Sequence, residues 1–270
     1  MKKVVLITGA SAGMGKETAK VLAQHGYTVY GAARRTEKMK DLEQLGIKTL
    51  SMDVTNETSM VTGIQQIIAN EGRIDVLVNN AGFGSYGAIE DVNIEDAKYQ
   101  LDVNVFGAAR LIQLVLPYMR KQHFGKIVNI SSIGGKFATP YGGWYHASKF
   151  ALEALSDALR NEVKQFGIDV IVIEPGGVKS EWAEIAYDNL VKASQQSVYK
   201  ETIDKLSDFM KKAVAKNSEP SVISELILKS IETAKPKFRY VGGYMAKQAV
   251  IARKLLSDRL FDKMIMGQMK

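Results

Sequence analysis

Residues 4–15 decide the fold and read Val-Val-Leu-Ile-Thr-Gly-Ala-Ser-Ala-Gly-Met-Gly. Four apolar residues make a short buried-strand pattern, and a helical pattern begins at Lys16, directly after the last glycine. Glycines let a pyrophosphate approach the backbone closely, and the free N–H groups at a helix start favour its negative charge. The stretch therefore predicts a dinucleotide-binding loop. The candidate contacts are Gly9, Ser11, Gly13, Met14 and Gly15.

The glycine spacing is G-x-x-x-G-x-G, which differs from the G-x-G-x-x-G of many dinucleotide enzymes. A plain turn between a strand and a helix is the alternative explanation for such a cluster. The position between a buried strand and a helix favours the dinucleotide loop over that alternative.

Short strand patterns alternate with longer amphipathic stretches along most of the chain, and several of the strand patterns are continuous apolar runs. Such runs are typical of strands covered on both faces. The alternation predicts a single α/β domain, a Rossmann-type, doubly wound, parallel sheet of seven strands with helices on both faces. The predicted strands are Val4–Gly9, Thr28–Arg34, Thr49–Val54, Val76–Asn80, Lys126–Ser131, Asp169–Glu174 and Phe238–Gly242. The predicted helices are Lys16–Gln24, Met60–Asn70, Asp96–Lys121 and Ala147–Phe166.

The end of the second predicted strand bears on the choice between NAD and NADP. An acidic residue there accepts from the ribose 2′-hydroxyl of NAD. Here residues 31–35 read Gly-Ala-Ala-Arg-Arg, and a guanidinium suits a 2′-phosphate. We expect NADP(H) to be preferred, with Arg34 as the first candidate for the phosphate contact and Arg35 as the second. Lys16 is either a further charge at this site or a solvated lysine.

Asp53 ends the third predicted strand, at the same edge of the sheet as the glycine loop. Its carboxylate suits the adenine amino group, and capping of the following loop is the alternative role. Both roles remain open at the level of the sequence.

Tyr145 and Lys149 stand four residues apart at the start of a helical pattern, so their side chains share one face of that helix. Ser132 lies thirteen residues before the tyrosine, at the end of a buried strand pattern. The Tyr-x-x-x-Lys spacing is weak alone and becomes specific beside a glycine loop. Ser131 is adjacent to Ser132, and the thirteen-residue offset favours Ser132.

Together these motifs resemble the short-chain dehydrogenases/reductases, in the branch of 17β-hydroxysteroid- and retinol-dehydrogenase-like enzymes. The matching motifs are Thr8–Gly15, Asp53-Val54, Asn79–Gly82, Val103–Gly107, Ser132, Tyr145-x-x-x-Lys149 and Pro175–Val178. The resemblance implies an oxidoreductase that transfers a hydride between a nicotinamide dinucleotide and a carbonyl or secondary alcohol.

The resemblance implies a role for each catalytic candidate. Tyr145 exchanges a proton with the substrate oxygen, and Ser132 hydrogen-bonds that oxygen. Lys149 holds the nicotinamide ribose, and Asn104 anchors a water that links Lys149 to solvent. A phenol has a pKa of about 10, so we expect the neighbouring ammonium group to lower the pKa of Tyr145.

The resemblance also implies cofactor contacts beyond the glycine loop and Asp53. The segment 80–82 lies beside the adenosine, and the segment 175–178 borders the nicotinamide. Many family members carry a threonine shortly after that second segment, and we expect Ser180 to replace it here. No metal ligands are expected. The additional candidates are Val54, Asn80, Ala81, Gly82, Tyr145, Lys149, Pro175, Gly176, Val178 and Ser180.

The regular alternation lapses over residues 178–237, and the first part of that insertion, about 181–220, is predicted to form a lid over the substrate. Large apolar side chains in the lid and in earlier loops predict a pocket for a bulky apolar carbonyl or alcohol that is steroid-, retinoid- or lipid-like. Ordinary core packing is the alternative for any one of them. The residues are Trp182, Ile185, Tyr187, Leu190, Val191, Tyr199, Phe209, Met210, Phe83, Tyr86, Phe137, Tyr141 and Trp144.

The tail, about 244–270, contains an amphipathic pattern with basic residues over 244–266 and is expected to form one basic amphipathic helix. Packing against its own chain or a second subunit is favoured, and contact with an anionic membrane is the alternative. Family members commonly pair through helices that correspond to Asp96–Lys121 and Ala147–Phe166, so a homodimer or homotetramer is expected.

Composition excludes several classes. The 270 residues include no cysteine, which excludes disulfides, a thiolate nucleophile and cysteine-ligated metals. The net charge of +7 is concentrated in residues 231–270, with 9 basic and 3 acidic residues, whereas residues 1–200 carry 22 and 21. The body has no basic stripe, so nucleic acid is not expected as a partner. The apolar run after Lys3 is too short for a signal peptide, so we expect a soluble cytoplasmic protein.

Two alternative functions remain open. A 3-oxoacyl thioester reductase fits the same motifs with a different substrate. A non-catalytic dinucleotide-binding sensor is the rival from another class, and the intact set of Ser132, Tyr145 and Lys149 argues against it.

Overall fold

Seven parallel strands form one sheet in the computed structural model, which describes residues 2–267. The strand order is β3-β2-β1-β4-β5-β6-β7, which confirms the predicted fold class. Each predicted strand is present, with its ends displaced by a few residues. The strands are β1 Val4–Thr8, β2 Thr28–Ala33, β3 Lys48–Ser51, β4 Val76–Asn79, β5 Gly125–Ile130, β6 Ile168–Pro175 and β7 Arg239–Gly242.

Helices cover both faces of the sheet. The helices are α1 Gly13–Gln24, α2 Lys40–Glu43, α3 Glu57–Glu71, α4 Ile94–Leu101, α5 Gly107–Gln122, α6 Gly143–Val163, α7 Glu181–Ala193, α8 Lys200–Val214, α9 Ser221–Glu232, α10 Ala246–Leu255 and α11 Asp258–Gly267. Of residues 208–213 only the backbone is described, so the predicted lid side chains Phe209 and Met210 lie outside the described part of the chain, as do tail residues 268–270.

The position of β1 beside β4 creates a crevice at the carboxyl edge of the sheet. The chain winds one way from β1 through β2 to β3, and the other way from β4 to β7. In register, Ile7 of β1 pairs with Gly31 on one side and with Val78 on the other. The connections therefore diverge on either side of β1, and a doubly wound sheet binds its ligand at such a switch point.

Two apolar cores lie on opposite faces of the sheet. One face of β1, with Val5 and Ile7, packs with α1, α2 and α9. The other face, with Val4 and Leu6, packs with α3 and α5. All five residues of β1 are buried, as expected for a strand covered on both sides.

The stretch predicted as one helix over 96–121 is helical throughout, but it contains a π-helical turn that the sequence did not predict. This turn, Asp102–Phe106, separates α4 from α5. In this turn Asn104 is buried and directs its amide inward, where Nδ2 donates to the carbonyl oxygen of Phe83 at 2.9 Å and to Ser148 Oγ at 3.0 Å. Turns of this kind insert a residue into a helix and are frequent at functional sites.

The single amphipathic helix predicted for the tail is wrong, because α10 ends at Leu255 and α11 begins at Asp258. Leu256 between them is extended, and the carbonyl oxygen of Ser257 accepts from the N–H of Phe261 at 2.9 Å. Serine is favoured at helix N-caps, so it suits a restart. Within residues 2–267, no helix is both long and apolar enough to cross a bilayer.

Candidate active site

A cleft of about 500 Å³ lies at the carboxyl edge of the sheet, at the β1–β4 switch point. The glycine loop, the ends of β2, β3 and β4, and the start of α7 form its walls. Among the predicted cofactor residues, those that line the cleft are Gly9, Ser11, Gly13, Met14, Arg34, Arg35, Asp53, Val54, Asn80, Ala81, Gly82 and Ser180.

The glycine loop fits a close-approaching ligand and is fixed by its contacts with β4. Gly9 has φ of 69°, a left-handed conformation that glycine adopts without strain. A Cβ at Gly15 would overlap the carbonyl oxygen of Gly9, which lies 2.5 Å away. The Asn80 amide donates to the Thr8 carbonyl oxygen at 2.9 Å, and the Ala81 N–H donates to Thr8 Oγ1 at 3.0 Å. The start of α1 has no side-chain cap, so its first N–H groups are left to bind an anion such as a pyrophosphate.

The two arginines that follow β2 make different contacts, although both line the cleft. Arg34 Nη1 donates to the Tyr99 hydroxyl at 2.7 Å. Arg35 Nη2 lies 3.3 Å from Ser11 Oγ and 2.8 Å from Glu181 Oε2. Only the second arginine therefore contacts the glycine loop among the bonds of the described residues.

The structure also places the two residues with open roles. Asp53 lines the cleft, and its Oδ1 accepts from the N–H and hydroxyl of Thr55 at 2.9 and 2.8 Å. Asp53 therefore caps its own loop while it stands at the cleft. Lys16 Nζ binds the Lys38 carbonyl oxygen and Asp41, each at 2.8 Å, so it supports the turn after β2.

Ser132 and Tyr145 form a hydroxyl pair at the other end of the site. Tyr145 lies in the first turn of α6 and is 7% exposed, and its phenol interacts with the Ser132 side chain. Ser132 Oγ accepts from the N–H of Gly134 at 2.9 Å, which fixes the hydroxyl beside the phenol. The adjacent Ser131 is buried and its Oγ makes no hydrogen bond, so the geometry favours Ser132.

The expectation that an ammonium group lowers the pKa of Tyr145 does not hold in this structure. Burial raises the pKa of this phenol to about 12, and the Ser132 hydrogen bond offsets only part of that rise. Burial also lowers the pKa of Lys149 to about 8, while Glu153 acts to raise it. Both shifts have one cause, because an apolar surrounding disfavours the charged form of each group.

Lys149 and Asn104 are held by the backbone around the site. Lys149 Nζ donates to the Ile130 carbonyl oxygen at 2.9 Å and lies 5.9 Å from the centre of the Tyr145 ring. Asn104 Oδ1 accepts from the N–H of Phe83 at 3.0 Å, so both ends of this amide are bound within the protein. A Cβ at Gly82 would lie 3.1 Å from Asn104 Oδ1 and 3.6 Å from Lys149 Nζ, which brings the three residues together.

Aromatic side chains cover Tyr145. The Trp182 ring of α7 lies 5.0 Å from the Tyr145 ring, and the Tyr86 ring lies 5.8 Å from it. Leu190 and Ala186 of the same helix are fully buried in this cluster. Elsewhere Phe137 packs against Phe261 of α11 at 5.1 Å, so part of the tail packs on its own chain.

Three comparisons place this geometry among known proteins. Residues 3–190 match the family model described as short chain dehydrogenase. A 3-ketodihydrosphingosine reductase of Bacteroides thetaiotaomicron is 39% identical over 239 residues, which cover 88% of this chain and 86% of the relative. A solved short-chain dehydrogenase from Streptomyces avermitilis has a TM-score of 0.83 at 31% identity, covering 98% of this chain and 96% of that one.

The chain belongs to the short-chain dehydrogenase/reductase family. It is therefore an enzyme that acts on CH–OH donors. A solved serine dehydrogenase complexed with NADP+ is 26% identical, with a TM-score of 0.77, and covers 90% of this chain and 95% of that one. A nicotinamide dinucleotide is the cofactor of this family, and the glycine loop and the lined cleft fit one.

Some predicted residues of this short-chain dehydrogenase/reductase lie behind the cleft wall. Pro175, Gly176 and Val178 do not line it, and Gly176 donates from its N–H to the Gly242 carbonyl oxygen at 2.8 Å. Gly15 packs against Asn80, Tyr145 packs against Trp182, and Lys149 Nζ lies 5.9 Å from the centre of the Tyr145 ring. Their cofactor roles stay predictions.

Several residues that line the cleft of this short-chain dehydrogenase/reductase were not predicted from the sequence. Tyr99, Glu181 and Asn189 line the cleft, and Lys38 pairs with Glu181. Glu181 follows the predicted Ser180, so its place at the start of the lid was the one available signal. The His146 ring binds the Gly134 carbonyl oxygen at 2.9 Å and Thr139 Oγ1 at 3.0 Å, which holds the loop after Ser132.

Proposed function

We propose that this enzyme is an NADP(H)-dependent reductase of ketones borne on bulky, apolar, lipid-like molecules. The observation that carries the proposal is the pair of neighbouring hydroxyls, the half-buried Ser132 and the buried Tyr145, with Trp182 packed against the tyrosine. Two hydroxyl groups that converge at one point can both donate to a single carbonyl oxygen.

Ser132 is arranged to donate to the substrate. Its Oγ accepts from the Gly134 N–H at 2.9 Å and donates to the Pro175 carbonyl oxygen at 3.4 Å. That second bond is long, so the hydroxyl proton can turn to an oxygen placed beside Tyr145. A hydrogen bond to that oxygen strengthens as negative charge develops on it. Ser132 therefore stabilises the charge that forms when a ketone is reduced.

Tyr145 is the proton donor in this direction. With a pKa raised to about 12 by burial, its phenol is protonated at neutral pH. A protonated phenol is the acid that ketone reduction needs, whereas alcohol oxidation needs the same group as a base. When bound, the nicotinamide supplies the hydride.

Lys149 contributes charge and position. With a pKa lowered to about 8, its ammonium group is largely protonated at pH 7. It is anchored on the Ile130 carbonyl oxygen beneath Tyr145, where further protons of the ammonium group can bind ribose hydroxyls.

The aromatic lid supports an apolar substrate. Tyr86, Trp182 and Leu190 belong to the same apolar cluster as Tyr145. Among the described residues of this region, Lys149 is the cation that lies near the Tyr145 ring. The Bacteroides relative is named for reduction of 3-ketodihydrosphingosine, a ketone on a long alkyl chain, which agrees with such a surrounding.

Replacement of Tyr145 by phenylalanine tests the proposal. We expect NADPH oxidation with a long-chain ketone to fall by about 10²- to 10⁴-fold, because the proton donor is lost. NADPH binding, measured by fluorescence titration, should persist. Tyr240→Phe, which removes a phenol hydroxyl from β7, is the matched control and should retain activity.

A screen sets the substrate class. Wild-type enzyme is supplied with NADPH or NADH and with long-chain 3-keto amines, ketosteroids, retinal, 3-oxoacyl thioesters and small ketones. We expect the highest kcat/KM with NADPH and a long apolar ketone. Full activity of Tyr145→Phe, or the best turnover with small polar ketones, would refute the proposal.

A further inference from the structure

The Glu181 carboxylate forms ion pairs with two cationic side chains, Arg35 and Lys38, at the cleft. Arg35 Nη2 lies 2.8 Å from Glu181 Oε2, and Lys38 Nζ lies 2.8 Å from Glu181 Oε1. Glu181 is the first residue of α7, which begins the lid, and it stands 146 residues from Arg35 in sequence. The ion pairs therefore join the lid to the turn after β2.

The arginine of this ion pair also contacts the glycine loop. The same Arg35 nitrogen lies 3.3 Å from Ser11 Oγ, and Ser11 is buried in the loop. The carbonyl oxygen of Lys38 is held by Lys16, which is paired with Asp41, so the turn that carries Lys38 is fixed. In a doubly wound sheet, the adenosine ribose lies at the end of β2. The carboxylate thus marks where an anion on that ribose would bind.

We propose that Glu181 is a built-in competitor that occupies Arg35 and Lys38 in place of the 2′-phosphate of NADP(H). The 2′-phosphate of NADP(H) would displace Glu181 and release the start of the lid, whereas NAD(H) would leave Glu181 paired. Lys38 and Glu181 are then determinants of cofactor specificity. This inference rests on the proposed preference for NADP(H).

The charges favour the exchange. A phosphomonoester carries a charge of about −1.5 to −2 at pH 7, whereas a carboxylate carries −1. The side chains of Glu181, Arg35 and Lys38 are 38%, 45% and 44% exposed, so solvent and salt weaken the existing pairs. A weak internal pair yields readily to a dianion that forms more charge-assisted hydrogen bonds.

Displacement of Glu181 would affect the surroundings of Tyr145 through Trp182. Trp182 follows Glu181 in sequence, lines the cleft and packs against Tyr145. A lid start released at Glu181 therefore alters the cover over the phenol. Binding of NADP(H) rather than NAD(H) would in this way change the mobility of the lid beside Tyr145.

Replacement of Glu181 by glutamine tests competition. We expect the NADPH dissociation constant, measured by fluorescence titration at low salt, to fall by about two- to tenfold, in line with exposed ion pairs. The NADH constant should change less than twofold, and added salt should reduce the gain. Glu184→Gln, one turn further along α7 and exposed, is the matched control for a lost charge and should change neither constant.

A second variant isolates Lys38. In the Glu181→Gln background, Lys38→Met should weaken NADPH binding about three- to tenfold and leave NADH binding unchanged. Hydrogen exchange over residues 181–193 gives a readout independent of turnover. NADP+ should speed exchange at the start of α7 in the wild type, and NAD+ should not.

The outcomes separate the two claims. A wild-type enzyme that binds NADH as tightly as NADPH would refute the proposed cofactor preference. An enzyme that prefers NADPH, but in which Glu181→Gln leaves both constants unchanged, would keep that preference and overturn the competitor.

Discussion

The two ends of the cleft handle charge in opposite ways. At the catalytic end, Tyr145 and Lys149 are 7% and 6% exposed, and their polar atoms bond to a hydroxyl and a backbone carbonyl. At the adenosine end, Arg35 and Lys38 are open to solvent and bind the Glu181 carboxylate.

This difference in burial determines what the charged groups at each end can do. Burial moves the pKa of Tyr145 to about 12 and that of Lys149 to about 8, which suits the proposed proton donor and leaves an ammonium that titrates near neutral pH. Exposure leaves cations free to exchange one anion for another at little cost. Substitutions at the catalytic end should therefore have large effects on turnover, and those at the adenosine end small effects on affinity.

After Tyr145→Phe, the largest effect is expected from Ser132→Ala. Loss of one hydrogen-bond donor to the developing oxyanion should lower kcat by about 10²- to 10³-fold, with NADPH affinity unchanged. Steady-state kinetics with the best ketone would measure the loss. Ser131→Ala removes a neighbouring hydroxyl without a hydrogen bond and should retain activity. The reverse ranking of the two serines would contradict the assignment.

Next in size is a loss of activity at alkaline pH. Because the pKa of Lys149 is lowered to about 8, the ammonium is charged below that pH and neutral above it. We expect kcat/KM for ketone reduction to fall by about tenfold per pH unit above about 8, as the single proton is lost. A pH profile checks this, and a flat profile to pH 9.5 would show that the charge of Lys149 is not needed.

A smaller effect is expected from Arg35→Ala, which should weaken NADPH binding about three- to tenfold and leave NADH binding nearly unchanged. Arg34→Ala should have a weaker effect, because Arg34 contacts Tyr99 and Arg35 contacts Ser11. Fluorescence titration of both variants measures the order. A larger loss in Arg34→Ala would restore Arg34 as the main phosphate ligand.

The smallest effect is that of salt. Raising the ionic strength from about 0.05 to 0.3 M should weaken NADPH binding a few-fold, because the cations at the adenosine end are screened. The kcat value should change less than twofold, since the catalytic groups are buried. An equal response of kcat would contradict the contrast between the two ends.

Local patterns made much of the molecule predictable. Continuous apolar runs such as β1 gave the strands, and the four-residue spacing placed Tyr145 and Lys149 on one face of α6. The π-helical turn around Asn104 was not predictable, because its amide is drawn inward by Phe83 and Ser148, which are distant in sequence.

The electrostatics of the site depend on tertiary contacts in the same way. The raised pKa of Tyr145 follows from the burial that accompanies packing against Trp182 and Tyr86, and no short motif encodes that packing. The pairing of Arg35 with Glu181 joins residues from opposite halves of the chain. Sequence therefore predicted which groups are present more reliably than it predicted their protonation.

The contact between Phe261 and Phe137 has a practical consequence for handling the enzyme. Phe137 belongs to the loop after Ser132, so α11 packs against the segment that follows this serine. Lys2 and Lys3 precede β1 at the opposite edge of the sheet from the cleft. An affinity tag fused before Lys2 is therefore expected to leave both the cleft and the contact of α11 undisturbed.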